Sequence, residues 1–277
     1  MDTSILVDMA LYGLDILLTS FPRYFLVTGG AFLLFWVLLR DRIAHRRIQA
    51  RASQRKKIIF DVRRSIIGLL AVASITTLAS ALQPLGLMKL YDDPSTYGWG
   101  YFVFSIALLI VGQDAYIYWT HRWIHHKAVF RRVHAVHHRS SSPNPFTSYS
   151  VNWLEGMIHG AYLPLMALCL PLHLWAVAVF LMFMMLMNTY LHLGYELLPQ
   201  GFARHPVTRW LTTSTYHNLH HQRSRCNYAP YFTWWDRLLG TIHPDYVTIY
   251  ERVTAEPLLP EPTPSDLSPA HSFHGVA

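Results

Sequence analysis

Three groups of closely spaced histidines are the part of this sequence best suited to chemistry. The chain has 17 histidines in 277 residues, and 13 of them fall between His121 and His221. The groups read HRWIHH from His121, HAVHH from His134 and HNLHH from His217. Neutral imidazole is the commonest metal ligand in proteins. Residues 121–138 hold six histidines where the overall frequency would give about one, so the pattern indicates metal binding.

The spacing within each group predicts a shared direction. Residues three or four apart lie on one face of a helix, so a helical HxxHH group can present two or three imidazoles to one centre. His192, four residues after Asn188, falls at the same predicted membrane boundary. The candidate metal ligands are His121, His125, His134, His137, His138, His192, His217, His220 and His221.

The number of candidate ligands predicts two metal ions. One tetrahedral zinc needs only three or four protein ligands, and nine imidazoles exceed that number. Few carboxylates lie near the histidines, which excludes a glutamate-rich di-iron bundle. Imidazole binds Fe, Zn, Cu and Ni alike, so the ligand type alone does not identify the metal.

Five further residues are candidates for supporting these ligands. Asp114 lies seven residues before His121 on the same predicted helix face, where its carboxylate could orient a ligand through the ring N–H. Glu196 and Asp236 are similar candidates, equally compatible with ordinary salt bridges. Asn188 could support His192. His126 is turned about 100° from His125 around a helix, so we expect it beside the centre rather than in it.

The composition predicts an integral membrane protein. Hydrophobic residues make up 52% and charged residues 14%, whereas soluble domains carry about 25% charged residues. Residues 24–39, 65–88 and 94–113 contain no charge, and we predict that each crosses the membrane, the third continuing as helix toward His121. Residues 156–195 are also uncharged, enough for about 60 Å of helix. With Pro164 and Pro171 inside, this stretch predicts a helical hairpin or two spans.

The rest of the chain divides around this region. Residues 1–20 resemble an amphipathic, interfacial helix, and the Pro- and Ser-rich residues 256–277 predict a disordered tail. Residues 21–255 form the main domain. The predicted fold is therefore an all-α integral membrane protein, a transmembrane helix bundle whose helical cap holds a histidine-rich di-metal site.

The charge distribution predicts orientation rather than a nucleic-acid partner. The net charge is +7, but ten of the 23 lysines and arginines lie in residues 40–64, between apolar runs. That is typical of a cytoplasmic loop in a membrane protein. The order of the predicted spans then places the histidine groups on the cytoplasmic side as well.

The histidine groups and their surroundings resemble the fatty acid hydroxylase/sterol desaturase superfamily of membrane di-iron oxygenases. The resemblance covers residues from about Asp114 to Thr241. It rests on DAYIYWTHRWIHH, VHAVHHRSSSPNPFTSYS, HLGYE, and TSTYHNLHH followed by NYAPYFTWWDRLLGT. It implies two irons held by the histidines, O2 as co-substrate, and hydroxylation or desaturation of a sterol-like or fatty-acyl lipid. One departure is SVNW at residues 150–153, where relatives often carry His-Pro.

Two other functions are alternatives, and the motifs present do not favour either. The motifs also indicate a separate electron donor. A membrane zinc hydrolase would need a general base as in HExxH, which the sequence lacks. A metal transporter would need ligands along a path inside the spans, whereas these lie at predicted span ends. No Gly-rich dinucleotide fingerprint and no CxxCH haem motif occur. An oxygenase would therefore take electrons from a separate donor, such as a ferredoxin or a b-type cytochrome with its reductase.

Overall fold

The protein is mostly helical in the part of the chain that a computed structural model describes, residues 3–49 and 53–255. The predicted tail, residues 256–277, lies outside the described residues. The helices are α1 (Thr3–Tyr24), α2 (Arg55–Ser80), α3 (Gly98–Ile124), α4 (Lys127–Val133), α5 (Trp153–Gly160), α6 (Tyr162–Cys169), α7 (Leu174–Leu191), α8 (Ser214–Arg223), α9 (Trp234–Leu238) and α10 (Tyr246–Thr254). Two short parallel strands, β1 (Leu90–Tyr91) and β2 (Leu172–His173), pair with each other. The all-helical prediction is confirmed apart from this pair.

Three helical stretches of the described chain are long and apolar enough to cross a membrane. They are Leu6–Leu38, Gly98–Ile124 and Leu174–Leu191, and they make the chain a multi-pass integral membrane protein. The first is longer than the predicted span 24–39, because α1 runs on into π-helical turns at Phe25–Gly29 and Phe32–Leu38. A helix therefore passes through residue 20, where we expected a boundary between segments.

Of the predicted span 65–88, only residues 65–80 are helical, and the crossing of the membrane by this segment stays a prediction. Helix α2 ends at Ser80, and its first turns carry Arg55, Lys56 and Lys57, followed by Arg63 and Arg64. Only residues 65–80 are free of charge, about 24 Å of helix, which is shorter than a bilayer core of about 30 Å. Helix α2 is not among the three candidate spans.

The uncharged stretch 156–195 forms a helical hairpin, as one of the two predicted alternatives stated. Helices α5 and α6 form its first arm, β2 lies at its turn, and α7 returns. The first arm consists of two eight-residue helices, so only α7 is a candidate span. A core cluster joins the arms to α3 through Leu109, Tyr162 and Phe180, and the Tyr162 hydroxyl donates to the Leu109 carbonyl at 2.7 Å.

Helices α2 and α5 approach each other so closely that their contact requires glycine. A Cβ on Gly156 would lie 2.7 Å from the Cβ of Ala71, and one on Gly68 would lie 2.5 Å from the Tyr149 carbonyl oxygen. Any larger side chain would force the helices apart. This contact places the start of α5 and the 140–150 segment against α2, where both support the histidines.

A cap of short helices closes one end of the bundle. Buried Tyr216, Leu219, Tyr246 and Tyr250 hold α8 against α10. The basic segment 40–64 packs at the same end: Gln49 Nε2 donates to Asn218 Oδ1 on α8 at 2.6 Å, and Arg46 donates to the Leu198 carbonyl at 2.8 Å. The histidine groups and the basic segment therefore lie on one side of the protein.

Candidate metal centre

The nine predicted histidines meet in two adjoining groups of side chains. Cluster I consists of His121, His125, His134, His138 and His220, and cluster II of His137, His192, His217 and His221. Within each cluster, one ring nitrogen from every histidine lies within 4.8 Å of the others. The clusters adjoin, since the rings of His138 and His221 have centroids 5.1 Å apart. Cluster II is fully buried, whereas His125 and His138 of cluster I are partly exposed.

The Nε2 atoms of cluster I converge on one small volume. The Nε2 of His138 lies 3.0 Å from that of His220, 3.1 Å from that of His134 and 3.2 Å from that of His125. The Nε2 atoms of His121 and His134 are 3.0 Å apart. Each distance is too short for two unprotonated nitrogens without a proton or a cation between them.

The Nδ1 contacts of cluster I show where two of its rings carry their protons. His121 donates from Nδ1 to the Tyr228 carbonyl at 2.8 Å, and His220 to the Cys226 carbonyl at 2.7 Å. A carbonyl only accepts, so these Nδ1 atoms carry the protons. The Nε2 atoms of the two neutral rings therefore point lone pairs into the cluster. Lone pairs converging from several rings fit a bound cation, and the all-imidazole donor set fits a transition metal.

Cluster II has the same arrangement, again with two rings that contact backbone carbonyls. His192 donates from Nδ1 to the Asn188 carbonyl at 2.7 Å, and His137 to the Ser150 carbonyl at 3.2 Å. The Nε2 of His192 lies 3.0 Å from the Nε2 of His217. The Nδ1 of His217 and both ring nitrogens of His221 are buried without a hydrogen-bond partner in the described chain. Buried, unpartnered ring nitrogens next to converging lone pairs also fit a metal ion.

Burial keeps these imidazoles in the form that binds metals. Removal from water, and then the neighbouring rings, lower the pKa of His137 from 6.5 to about 4 and that of His138 to about 2. The same causes hold the pKa values of His217, His220 and His221 well below the ordinary value. Because a ligand imidazole must be neutral, the site is ready to bind metal near pH 7.

Each HxxHH group presents two imidazoles to one cluster and its third imidazole to the other. On α8, His217 and His221 belong to cluster II, whereas His220 belongs to cluster I. Adjacent residues are about 100° apart around a helix, which separates His220 from His221. The middle group, HAVHH from His134, contributes two histidines to cluster I, His134 and His138, and one to cluster II, His137.

The middle group is also not helical throughout, contrary to our prediction. Helix α4 ends at Val133, and a 3₁₀ turn begins at His137. The serines and Pro143 that follow do not favour continuation of an α-helix. The bend at residues 134–136 places His134 and His137 in different clusters.

Two of the predicted supporting carboxylates act through backbone rather than on a ring. Buried Asp236 accepts from Tyr228 N at 3.0 Å and Ala229 N at 2.9 Å, and so holds the carbonyl that contacts His121. Glu196 accepts from the backbone and hydroxyl of Thr215 at 2.9 and 2.8 Å at the start of α8. A carboxylate there satisfies free N–H groups and favours the helix dipole, so Glu196 fixes the helix that carries three of the nine histidines.

Of the other three candidates, Asp114 and His126 contact none of the nine rings in the described chain, whereas Asn188 contacts His192 as predicted. Asp114 accepts from Tyr231 N, Phe232 N and Trp234 Nε1 at 2.8–3.0 Å and contacts none of the nine rings. His126 is exposed and is the N-cap of α4, where its Nδ1 accepts from Ala128 N at 3.4 Å. Asn188 supports His192 only through its backbone carbonyl, since its side chain donates to Ser148.

Sequence reasoning missed two buried carboxylates. Glu155 Oε1 lies 2.7 Å from His134 Nδ1. Asp61 accepts from side chains of the 140–150 segment, including Asn144 at 2.8 Å and Ser150 at 2.9 Å, and Ser150 contacts His137. Glu155 carried a signal, because it is the one acidic residue between Asp114 and Glu196. Asp61 lies in the basic segment 40–64, far in sequence from the histidines, and no motif marked it.

An apolar cavity of about 300 Å³ leads to both clusters. Its wall includes His121 and His134 of cluster I, and His137, His192 and His217 of cluster II. Leu69, Val72, Phe180, Met184 and Met185 form part of the remaining wall. A volume of this size lies at the lower end of the range for small-molecule sites, about 300–1,000 Å³. The lining suits an apolar ligand that reaches the histidines.

The chain is similar to proteins that are named for the oxidation of lipids. Residues 106–241 match the family model described as fatty acid hydroxylase. The chain is 32% identical to lathosterol oxidase of Mus musculus over 196 residues, which cover 68% of this chain and 61% of that protein. It is 31% identical to a Delta(7)-sterol 5(6)-desaturase of Gibberella zeae over 182 residues, which cover 65% and 50%.

The extent of these matches is limited. They span between half and about three fifths of the length of the two relatives. No solved structure matches the chain.

Proposed function

Because this chain belongs to the fatty acid hydroxylase family, we propose that it is a membrane-bound di-iron oxidoreductase that uses O2 to hydroxylate or desaturate a lipid. The observation that carries the proposal is the pair of adjoining all-histidine clusters in the wall of one apolar cavity. The substrate is sterol-like or fatty-acyl. The relatives are named for sterol oxidation, and the apolar lining suits either lipid class.

The nine histidines are proposed as the metal ligands. Cluster I would hold one iron and cluster II the other, with Nδ1 contacts such as His121 to Tyr228 and His192 to Asn188 fixing the ring orientations. Iron bound there would activate O2 for attack on an unactivated C–H bond, which redox-inactive zinc does not do. The protein contributes rigid ligand placement and a cavity that excludes water.

The overall reaction needs two electrons from outside this sequence. Hydroxylation converts a C–H group, O2, two electrons and two protons into an alcohol and one water. Desaturation removes two hydrogens to form a C=C bond and, with the same inputs, yields two waters. The 277 residues contain no dinucleotide fingerprint. A separate donor is therefore proposed, a ferredoxin or a b-type cytochrome with its reductase.

Turnover with labelled oxygen tests this function. Purified protein loaded with iron and given 18O2, a reduced donor and membrane lipids is expected to oxidise a lipid. Label in the product identifies hydroxylation, and label in water alone identifies desaturation. Elemental analysis should find two irons per chain. A native protein that holds only zinc, together with an unchanged lipid pool in cells lacking the gene, would contradict the proposal and favour a hydrolase.

We further propose that the histidine clusters face the cytoplasm. The basic segment 40–64 packs at the end of the bundle that carries the clusters, and such segments stay in the cytoplasm. In a chain carrying Cys169→Ser and Cys226→Ser, cysteine at exposed Gln54 or Gln222 should resist an impermeant thiol reagent in sealed cells. Cysteine at Thr96, before α3 at the opposite end, should react. Reaction at Gln54 or Gln222 in sealed cells would reverse the orientation.

A further inference from the structure

Helix α1 turns a polar stripe toward the cavity. The leucines Leu11, Leu14 and Leu18 are exposed on its outer side. The cavity wall on the other side contains Tyr12, Ile16, Thr19, Ser20 and Arg23. These positions are three or four residues apart, so they form one stripe along the helix. A candidate membrane span with its apolar side outward and its polar side on a cavity is suited to a ligand that has a polar part.

Arg23 is the most unusual member of this stripe. It lies within the candidate span Leu6–Leu38, and it is the one lysine or arginine among the described residues of the cavity wall. Its Nε is buried without a hydrogen-bond partner, and its Nη2 reaches only Ser20 Oγ, at 3.5 Å. No carboxylate of the described chain forms an ion pair with it.

An unpaired cation inside a membrane span is costly and usually marks a functional site. Glu155, the one carboxylate in the described cavity wall, contacts His134 instead. The unused donors of Arg23 therefore lack a partner that the described chain could provide. A guanidinium and a nearby hydroxyl match the geometry and charge of an oxyanion.

We propose that Arg23, with Ser20, binds the oxyanion end of a lipid whose apolar body occupies the cavity beside the histidine clusters. The inference rests on the proposed function only in taking this cavity as the substrate site. It names the substrate class as an anionic lipid, with a carboxylate or a sulfate as the polar end. A fatty acid and a sterol sulfate share this chemistry, whereas a free sterol and a fatty-acyl ester lack it.

Paired lipid probes test the proposal without turnover. Binding of stearate against methyl stearate, and of cholesterol sulfate against cholesterol, is measured on the purified full chain in neutral detergent. The charged member of at least one pair is expected to bind about tenfold more tightly, or better, to the wild-type protein. Arg23→Gln should abolish that preference. Arg23→Lys should keep part of it, because the charge remains but the planar fork is lost.

The matched control removes the same charge elsewhere. Arg40→Gln changes an exposed arginine outside the cavity and should leave the preference intact, and thermal unfolding of each variant checks its folding. The pair that shows the preference distinguishes a fatty acid from a sterol sulfate. Equal binding of charged and neutral probes to the wild-type protein, a preference that survives in Arg23→Gln, or no probe binding at all would overturn the inference. A protein that binds the anion but never oxidises a lipid would refute the oxygenase and leave this subsite standing.

Discussion

Replacing His220 or His217 with alanine is expected to remove one metal ion each and to abolish lipid oxidation. Both side chains lie buried on α8, three residues apart, but His220 belongs to cluster I and His217 to cluster II. Each variant leaves one cluster complete, so bound iron should fall from two ions toward one. Turnover should fall more than about 100-fold, beyond the loss typical of residues that only support ligands. His134→Ala and His137→Ala, one from each cluster on the middle group, should act in the same way.

The measurement is iron per chain by elemental analysis, beside turnover and thermal unfolding. His126→Ala is the matched control, because His126 directly follows a cluster I histidine in the sequence but is exposed and only begins α4. It should keep both irons and nearly full turnover, with a loss of stability of about 1 kcal/mol for the helix cap. Full turnover with two irons in a variant lacking His217 or His220 would refute the ligand assignment.

Replacing Glu155 with alanine is expected to weaken iron binding in cluster I by about 10- to 100-fold. Glu155 Oε1 lies 2.7 Å from His134 Nδ1, and both side chains are 1% exposed. Burial raises the pKa of Glu155 well above its ordinary value, whereas a cation bound in the neighbouring cluster would favour the ionised form. The carboxylate then fixes the ring and makes Nε2 a better ligand. Alanine would leave the His134 N–H buried without an acceptor.

Loss of iron to a chelator and turnover measure the effect. Glu155→Gln keeps an acceptor oxygen and should fall between alanine and the wild type, which a merely space-filling role does not predict. Glu251→Gln is the control, because Glu251 pairs with exposed Arg204 on the cap and contacts no histidine of either cluster. Iron retention unchanged in Glu155→Ala would show that the carboxylate is not needed to position His134.

The sequence by itself determined the residues of the site and the kind of protein that carries them. Nine histidines stand out by number and spacing alone, and all nine meet in the two clusters. Charge-free runs predicted the hairpin at 156–195 and the helix that leads into His121. These features are readable because ligand chemistry and the cost of placing charge in a membrane are properties of short segments.

Only the tertiary structure decided how those residues are divided and supported. The bend after α4 and the 100° turn between His220 and His221 divide each of the two HxxHH groups between the clusters, which no linear spacing states. Glu155 contacts a histidine 21 residues earlier in the chain, and Asp61 organises a segment about 80 residues later. The cavity exists because α1, α2 and the hairpin enclose it. Contacts between distant segments depend on how the helices pack, and the pattern within any one segment does not contain that information.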